Sequence, residues 1–289
     1  SRGLGYVYKR QGMFSFIIYN KKTKEVVGAR DYFGIKPMYY YIDKDNFMFG
    51  SEIKSFLPNK NFKKEVNTKN LEMYLIFQYS IGSDTFFKNT YKLLPGHYFK
   101  YKEGKIEIEK YYDILYDKQE DSYDKMKDTL EEVIAESVKY HKISDVEVGS
   151  FLSSGVDSSL IATLADVDKT FTVGYDNKKY SEIDYAKELS DILKVENINK
   201  KISKNEYFDK FADIEYFMDE PLADPSAIAL YFVANIASKH VKVALSGEGA
   251  DEIFGGYNIY HEPYSLGWYY KIPYFIRRFI GILATPFKD

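Results

Sequence analysis

A serine-rich segment near the middle of the chain combines residue types that bind phosphate. It lies between an apolar run, VEVGSFL, and a run with helical spacing, SSLIATLAD, and it reads Ser153, Ser154, Gly155, Val156, Asp157, Ser158, Ser159. A helix N-terminus offers N–H groups without acceptors, hydroxyls add donors, and a glycine lets an anion approach the backbone. The segment therefore predicts a phosphate site. Asp157 predicts a Mg²⁺ ligand, because Mg²⁺ prefers a carboxylate together with phosphate oxygens; the alternative is a serine-rich helix cap.

A second segment with acidic side chains follows the apolar run VKVAL. It begins at Ser246 and Gly247 and reads SGEGADEIFGGY, so that Glu248 and Asp251 lie three residues apart in a glycine-rich turn. We expect Asp251 to complete a Mg²⁺ site with Asp157, and Glu248 to act as a general base or to orient an attacking amine. The alternative is a solvated turn with incidental acids.

Strand and helix patterns alternate around both segments. Strands are predicted at 146–152, 169–176 and 241–245, and helices at 181–195, 205–218 and 226–239, the first with a Ser181–Asp184 capping box. This alternation predicts a parallel sheet with helices on both faces, which binds ligands at the carboxyl ends of its strands. We therefore expect the chemistry just after residues 152, 174 and 245.

The front of the chain has a different pattern. From Gly12 to about Tyr112, short aromatic runs between polar turns predict a hairpin-rich antiparallel sheet, and residues 67–79 predict a helix capped by Asn67 or Thr68. An acidic stretch at 113–124 predicts a linker between two domains. The helix after it carries an apolar stripe that predicts core packing, formed by Met126, Leu130, Val133, Ile134 and Val138.

Both chemical segments resemble family signatures. The serine-rich loop resembles the pyrophosphate-binding loop SGGxDSS of the ATP pyrophosphatase superfamily, with Ser154 in place of the first glycine, and SGEGADEIFGGY resembles the second signature of asparagine synthetases. GMFSFIIYN, GARDYFGIKPMYYY, FGSEIKSF and KLLPGHY resemble the rear of the class II glutamine amidotransferase domain of the same enzymes. The resemblance covers residues 12–289 and implies the rear of an Ntn-hydrolase αββα glutaminase domain, followed by an α/β parallel-sheet ATP pyrophosphatase domain of the adenine nucleotide α-hydrolase-like kind.

This resemblance implies a reaction and a set of site residues. Aspartate attacks the α-phosphate of ATP to give β-aspartyl-AMP and pyrophosphate, and ammonia from glutamine then displaces AMP. The serine-rich loop would hold pyrophosphate, Glu248 would support adenylate formation, and the nucleotide site would be lined by Phe151, Val173, Ser246 and Gly247. The segment DEPLADPSAIAL, residues 219–230, resembles a helix that packs near the nucleotide; its charges are either functional or structural.

The domain extents follow from the same comparison. Residues 12–115 are expected to be the C-terminal part of the amidotransferase domain, and residues 116–289 the N-terminal part of the synthetase domain. Residues 1–11 contain two of the five arginines and lack the alternation that begins at Gly12, which predicts a foreign segment; the alternative is an unusual native N-terminal arm. The chain contains no cysteine, whereas the family uses an N-terminal cysteine as its glutaminase nucleophile, so we expect a fragment that does not hydrolyse glutamine.

Composition excludes several other classes. The net charge of −3 provides no positive field that would attract nucleic acid. The sequence contains no uncharged run of 18 residues, which a membrane span would need, and its first residues do not have the pattern of a secretion signal. We therefore expect a cytoplasmic enzyme with small-molecule substrates. The choice between a monomer and a homodimer stays open. So do two other functions: a related amidotransferase or β-lactam-synthetase-like enzyme that adenylates another carboxylate, and a catalytically silent scaffold.

Overall fold

The computed structural model describes residues 12–116, 121–177 and 181–284, and the predicted foreign segment 1–11 lies outside them. The described residues form two compact units. The first takes the residues up to Met126 together with Ile202–Phe232, and the second takes Lys127–Lys201 and the residues from Val233 onward. The switch at Met126 lies close to the predicted linker, whereas the return of Ile202–Phe232 to the first unit was not predicted.

Two antiparallel sheets form the centre of the first unit. The strands are β1 (Ser15–Asn20), β2 (Glu25–Arg30), β3 (Tyr39–Ile42), β4 (Phe47–Gly50), β5 (Thr90–Lys92), β6 (His97–Lys102) and β7 (Lys105–Lys110). Their order is β1-β2-β6-β7 in one sheet and β4-β3-β5 in the other. Aromatic rings join the sheets, since Phe47 stacks on Tyr101 at 3.9 Å between centroids and Tyr40 lies 6.1 Å from Phe99. The predicted hairpin-rich antiparallel architecture is confirmed.

Local signals explain the helices of this unit. Helix α1 (Thr68–Phe77) begins after Asn67, whose side chain accepts the N–H of Asn70, so the predicted cap is confirmed. A 3-10 helix occupies Ile53–Phe56. The sequence predicted one helix at 205–218, whereas the structure has two, α5 (Lys204–Asp209) and α6 (Phe211–Met218).

A four-stranded sheet forms the centre of the second unit. Its strands are β8 (Val148–Phe151), β9 (Lys169–Tyr175), β10 (Glu196–Ile202) and β11 (Val243–Leu245). Their order is β10-β9-β8-β11, and β8 pairs in parallel with both β9 and β11. The predicted parallel sheet is confirmed, and the edge strand β10 was not predicted.

Helices follow the strands of this sheet. They are α2 (Tyr123–His141), α3 (Val156–Ala165), α4 (Ile183–Leu193), α7 (Ser226–Ala237), α8 (Ala250–Phe254), α9 (Glu262–Ser265), α10 (Gly267–Tyr270) and α11 (Tyr274–Ala284), with a 3-10 turn at Asn258–His261. One core cluster joins Phe171 of β9 to Val233 and Ile236 of α7, and another joins Val138 of α2 to Val148 of β8. These clusters fix the strand ends that carry both chemical segments.

Two local predictions in this part of the chain need correction. The Ser181–Asp184 capping box does not form: helix α4 starts at Ile183, and its N-cap residue Glu182 makes no side-chain cap. The capping box occurs instead at Ser203 and Glu206, where α5 begins. In the stripe of α2, Ile134 and Val138 pack in the core as predicted, but three members are exposed, namely Met126, Leu130 and Val133.

Among the described residues, no helix combines the length and the apolar character that a membrane crossing requires.

Candidate nucleotide site

The serine-rich segment connects the end of β8 to the start of α3 and is ordered by its own hydroxyl groups. The Ser153 and Ser158 hydroxyls lie 2.7 Å apart, and the Ser153 N–H donates to Ser158 Oγ at 3.1 Å. The Ser159 hydroxyl donates to the Gly155 carbonyl at 2.7 Å, and the Gly155 N–H donates to Ser153 Oγ at 3.1 Å. These bonds fold the segment into a tight loop.

The loop presents backbone donors at the start of α3. The first intrahelical bond joins the Ser159 N–H to the Gly155 carbonyl, so the N–H groups of Val156, Asp157 and Ser158 have no intrahelical acceptor. Gly155 and Val156 are exposed, and Asp157 and Ser158 are half-buried. An anion can therefore reach these N–H groups from solvent, and the positive end of the helix dipole favours its charge.

Ser154 has a structural role that the sequence did not indicate. Its hydroxyl donates to Glu182 Oε1 at 3.0 Å, and Glu182 is the residue before α4. Ser154 occupies the position where the resembling loop has glycine. The serine therefore ties the loop to the next helix of the same sheet, which a glycine could not do because it has no side chain.

The second segment lies directly against the first. A Cβ on Gly247 would be 2.9 Å from Asp157 Cβ, a separation that real Cβ atoms essentially never show, and 3.0 Å from the Ser158 nitrogen, which is tighter than most real Cβ contacts. Glycine is needed here because the backbone after β11 touches the first turn of α3. The structure thus brings together Ser246–Gly247 and Asp157–Ser158, as their positions after neighbouring parallel strands predicted.

The two predicted acids of the second segment have different surroundings. Glu248 is exposed, and its N–H approaches Ser246 Oγ at 3.4 Å. Asp251 lies in α8, and its carboxylate occupies the space where a Cβ on Gly256 would be. The described residues contain no group of three or more acidic, histidine or cysteine side chains that could hold a metal ion. Asp157 and phosphate oxygens fit the needs of Mg²⁺ without such a group, whereas the role of Asp251 stays a prediction.

Phe151 and Val173 are half-buried and pack against the core cluster of Phe171, Val233 and Ile236. Their place near the ends of β8 and β9 agrees with the predicted position, but their contacts are those of core residues. A role in lining the nucleotide site stays a prediction for both.

Two of the three acids of segment 219–230 bind residues outside the segment. Asp219 and Glu220 accept hydrogen bonds from the first unit, Asp219 from the Ile53 N–H at 2.7 Å and Glu220 from the Phe86 N–H at 2.9 Å. The sequence left the choice between functional and structural charges open. The structure gives both carboxylates a structural partner.

Comparison with known families agrees with this arrangement. The asparagine synthase family model matches residues 129–283, and a glutamine amidotransferase domain model matches residues 1–112. The second match begins at residue 1 and includes residues 1–11. It therefore does not support the prediction that this segment is foreign, which stays a prediction.

Similar proteins carry related names. The chain is 44% identical over 286 residues to asparagine synthetase [glutamine-hydrolyzing] 1 of Bacillus subtilis, which covers 97% of the chain and 45% of that protein. It is 35% identical to a putative asparagine synthetase [glutamine-hydrolyzing] of Mycobacterium tuberculosis, over 99% of the chain and 46% of that protein. It is 28% identical to amidase chry2 of Gibberella zeae, over 89% of the chain and 42% of that protein. The chain thus spans less than half the length of these relatives.

Proposed function

The chain belongs to the asparagine synthase family, and from that premise we propose that it is the nucleotide-binding part of an enzyme that makes L-asparagine from L-aspartate, ATP and ammonia. The observation that carries the proposal is the contact of Gly247 with Asp157 and Ser158. It joins the two chemical segments into one site at the carboxyl ends of β8 and β11, where a parallel sheet binds ligands.

The serine-rich loop would hold the phosphates. The N–H groups of Val156, Asp157 and Ser158 have no intrahelical acceptor and would donate to an anion, and the bonds among the serine hydroxyls keep the loop in this shape. Such preorganisation lowers the entropy lost when the ligand binds. Mg²⁺ would be held by Asp157 together with phosphate oxygens, where it would offset part of the phosphate charge.

The reaction would proceed in two displacements. An oxygen of the aspartate side-chain carboxylate attacks the α-phosphorus of ATP, the bond from that phosphorus to the bridging oxygen breaks, and pyrophosphate leaves. Ammonia then attacks the acyl carbon of β-aspartyl-AMP, AMP leaves, and the nitrogen loses a proton. Glu248 is exposed beside the phosphate loop, where its carboxylate can orient the attacking group or take that proton.

The finer fold assignment belongs to the same proposal. The facing antiparallel sheets of the first unit suit the two β layers of an Ntn-hydrolase αββα glutaminase domain, and the parallel sheet of the second suits an ATP pyrophosphatase domain. In the complete enzyme the first domain would release ammonia from glutamine.

A second candidate is adenylation of another carboxylate by a related amidotransferase. The similarity to a protein named amidase chry2 favours this alternative, because that relative carries a different name from the asparagine synthetases although the similarity covers 89% of this chain.

The proposal is tested with the full-length protein encoded at the native locus. We expect aspartate, ATP and ammonium to give asparagine with one AMP for each product molecule. Ammonium serves as the nitrogen donor, so that the synthetase reaction is measured without the release of ammonia from glutamine. Formation of ADP in place of AMP would exclude an adenylate, and AMP formation with a different acid would favour the second candidate.

A further inference from the structure

Two neighbouring acids join the parts of the chain that match different families. Asp219 and Glu220 lie in the asparagine synthase match, whereas their partners lie in the glutamine amidotransferase match, more than 120 residues earlier. All of these residues belong to the first compact unit. The side chain of Asp219 is 6% exposed and that of Glu220 is 13% exposed.

Asp219 caps a helix of the amidotransferase part. Its carboxylate accepts the N–H of Ile53 at 2.7 Å and that of Lys54 at 3.0 Å, at the start of the 3-10 helix Ile53–Phe56. The N-cap residue of that helix, Glu52, makes no side-chain cap of its own. Lys54 Nζ also donates to Asp219 at 3.1 Å and to the Phe217 carbonyl at 3.0 Å. An acid from a distant segment therefore satisfies donors that the local sequence leaves without a partner.

Glu220 completes a buried polar network. One oxygen accepts from the Ser80 hydroxyl and from the Phe86 N–H, each at 2.9 Å, and the other lies 3.8 Å from Lys92 Nζ. The Asn70 side chain donates to the Ser80 hydroxyl at 2.8 Å. Burial lowers the pKa of Lys92, and the nearby Glu220 carboxylate opposes that shift. Each carboxylate thus binds two or more groups of the amidotransferase part.

The chain leads directly from these acids to the nucleotide-binding sheet. Helix α7 begins at Ser226, six residues after Glu220, and its later residues Val233 and Ile236 form the core cluster with Phe171 of β9. Phe151, at the end of β8 before the serine-rich loop, packs against the same cluster. The segment from Asp219 to Ile236 is therefore held by its two acids at one end and by the core cluster of Phe171 at the other.

We propose that Asp219 and Glu220 are positioning residues that clamp the start of α7 to the amidotransferase domain, so that glutamine-derived ammonia is used by the synthetase site. The inference rests on the proposed function for its activity test. The clamp acts through the position of α7, since neither acid belongs to the phosphate loop.

The test uses the full-length protein with Asp219→Asn, Glu220→Gln and the double substitution. Asparagine formation is measured with glutamine and with ammonium as the nitrogen donor. We expect glutamine-dependent synthesis to fall roughly tenfold or more in the double variant, within the 5–150-fold range typical of coupling between sites. Ammonium-dependent synthesis should stay within about twofold of the wild type, because the phosphate loop is unchanged.

Asp213→Asn is the matched control. Asp213 is an exposed acid on helix α6, the helix that ends just before Asp219, and it pairs with Lys210 at 2.8 Å. This control should preserve both activities. The positioning role would be overturned if the double variant lost both activities equally, or if its ratio of glutamine-dependent to ammonium-dependent synthesis were that of the wild type.

Hydrogen exchange separates this inference from the proposed function. The Ile53 and Phe86 amides donate to the two carboxylates, so both should exchange faster in the corresponding variants and at the wild-type rate in Asp213→Asn. Unchanged exchange at both amides would refute the clamp. If the wild-type protein makes no asparagine from either nitrogen donor, the proposed function fails, and the coupling role fails with it. Faster amide exchange in the variants would still establish the clamp as a structural contact.

Discussion

Replacement of Gly247 by alanine should separate the two segments of the nucleotide site. The added methyl carbon would lie 2.9 Å from Asp157 Cβ and 3.0 Å from the Ser158 nitrogen, whereas carbon atoms in contact are usually about 3.5–4.0 Å apart. One segment must therefore move by roughly 0.6 Å or more. Overpacking of this kind costs about 1–3 kcal/mol. If that strain is expressed in the ATP-bound state, affinity falls roughly 5- to 150-fold.

The assay is calorimetric titration of Gly247→Ala with ATP and Mg²⁺, together with thermal unfolding. Gly267→Ala is the control, because a Cβ there meets nothing within 4 Å and Gly267 does not have a positive φ. We expect the control to bind ATP like the parent chain. If Gly247→Ala binds ATP with unchanged affinity and unfolds at an unchanged temperature, the two segments do not touch as described.

Four further substitutions test separate parts of the account. Asp157→Ala should abolish detectable ATP–Mg²⁺ binding in calorimetry at a stability cost of at most about 1 kcal/mol, the usual value of an acid at a helix start, and unchanged binding would contradict its role. Glu248→Gln should preserve ATP binding and slow asparagine formation by the full-length protein, since Glu248 is exposed; a normal rate would remove it from the mechanism. Burial raises the pKa of Tyr40 to about 12, so its contribution to stability is complete below pH 10 and is lost as the pH rises toward 12. In Tyr40→Phe, the free energy of unfolding should therefore fall less steeply between pH 10 and 12, by at most about 1.4 kcal/mol per pH unit. An unchanged slope of the free energy of unfolding against pH would count against the burial of the Tyr40 hydroxyl. Ser203→Ala should destabilise the chain by about 1 kcal/mol in denaturant titration through loss of the capping box, whereas Ser181→Ala should cost much less, and equal effects would contradict the caps assigned here.

The candidate site could be proposed from sequence because the patterns that predict it are local. A strand followed by serine, glycine and acid residues predicts a loop at the carboxyl end of a parallel sheet, and the pairing of β8 with β11 places the two loops side by side. The contact at Gly247 adds a detail that no local pattern contains, since it depends on the distance between two neighbouring strand ends.

The edge strand β10 was missed because its pattern is polar. Its sequence, ENINKKI, lacks an apolar alternation, and part of its attachment comes from the Asn197 amide, which donates to Thr170 and Thr172 of β9 at 3.0 and 2.9 Å. The capping box at Ser203 and Glu206 had a usable signal, a serine followed three residues later by glutamate, and that signal was overlooked.

The role of Asp219 could not be predicted from its neighbours in sequence. Its partners Ile53 and Lys54 lie 166 and 165 residues away, so only the folded chain brings donors and acceptor together. The role of Asp251 as a Mg²⁺ ligand with Asp157 stays a prediction, and the structure adds that its carboxylate lies against Gly256.

The central claim is that the joined loops bind ATP and activate a carboxylate as its adenylate. The most direct measurement is exchange of labelled pyrophosphate into ATP by the full-length protein, with and without aspartate. The account predicts exchange that requires aspartate and disappears in Asp157→Ala. Exchange that requires a different carboxylate would change the substrate and keep the chemistry, whereas no exchange with any carboxylate would contradict the claim.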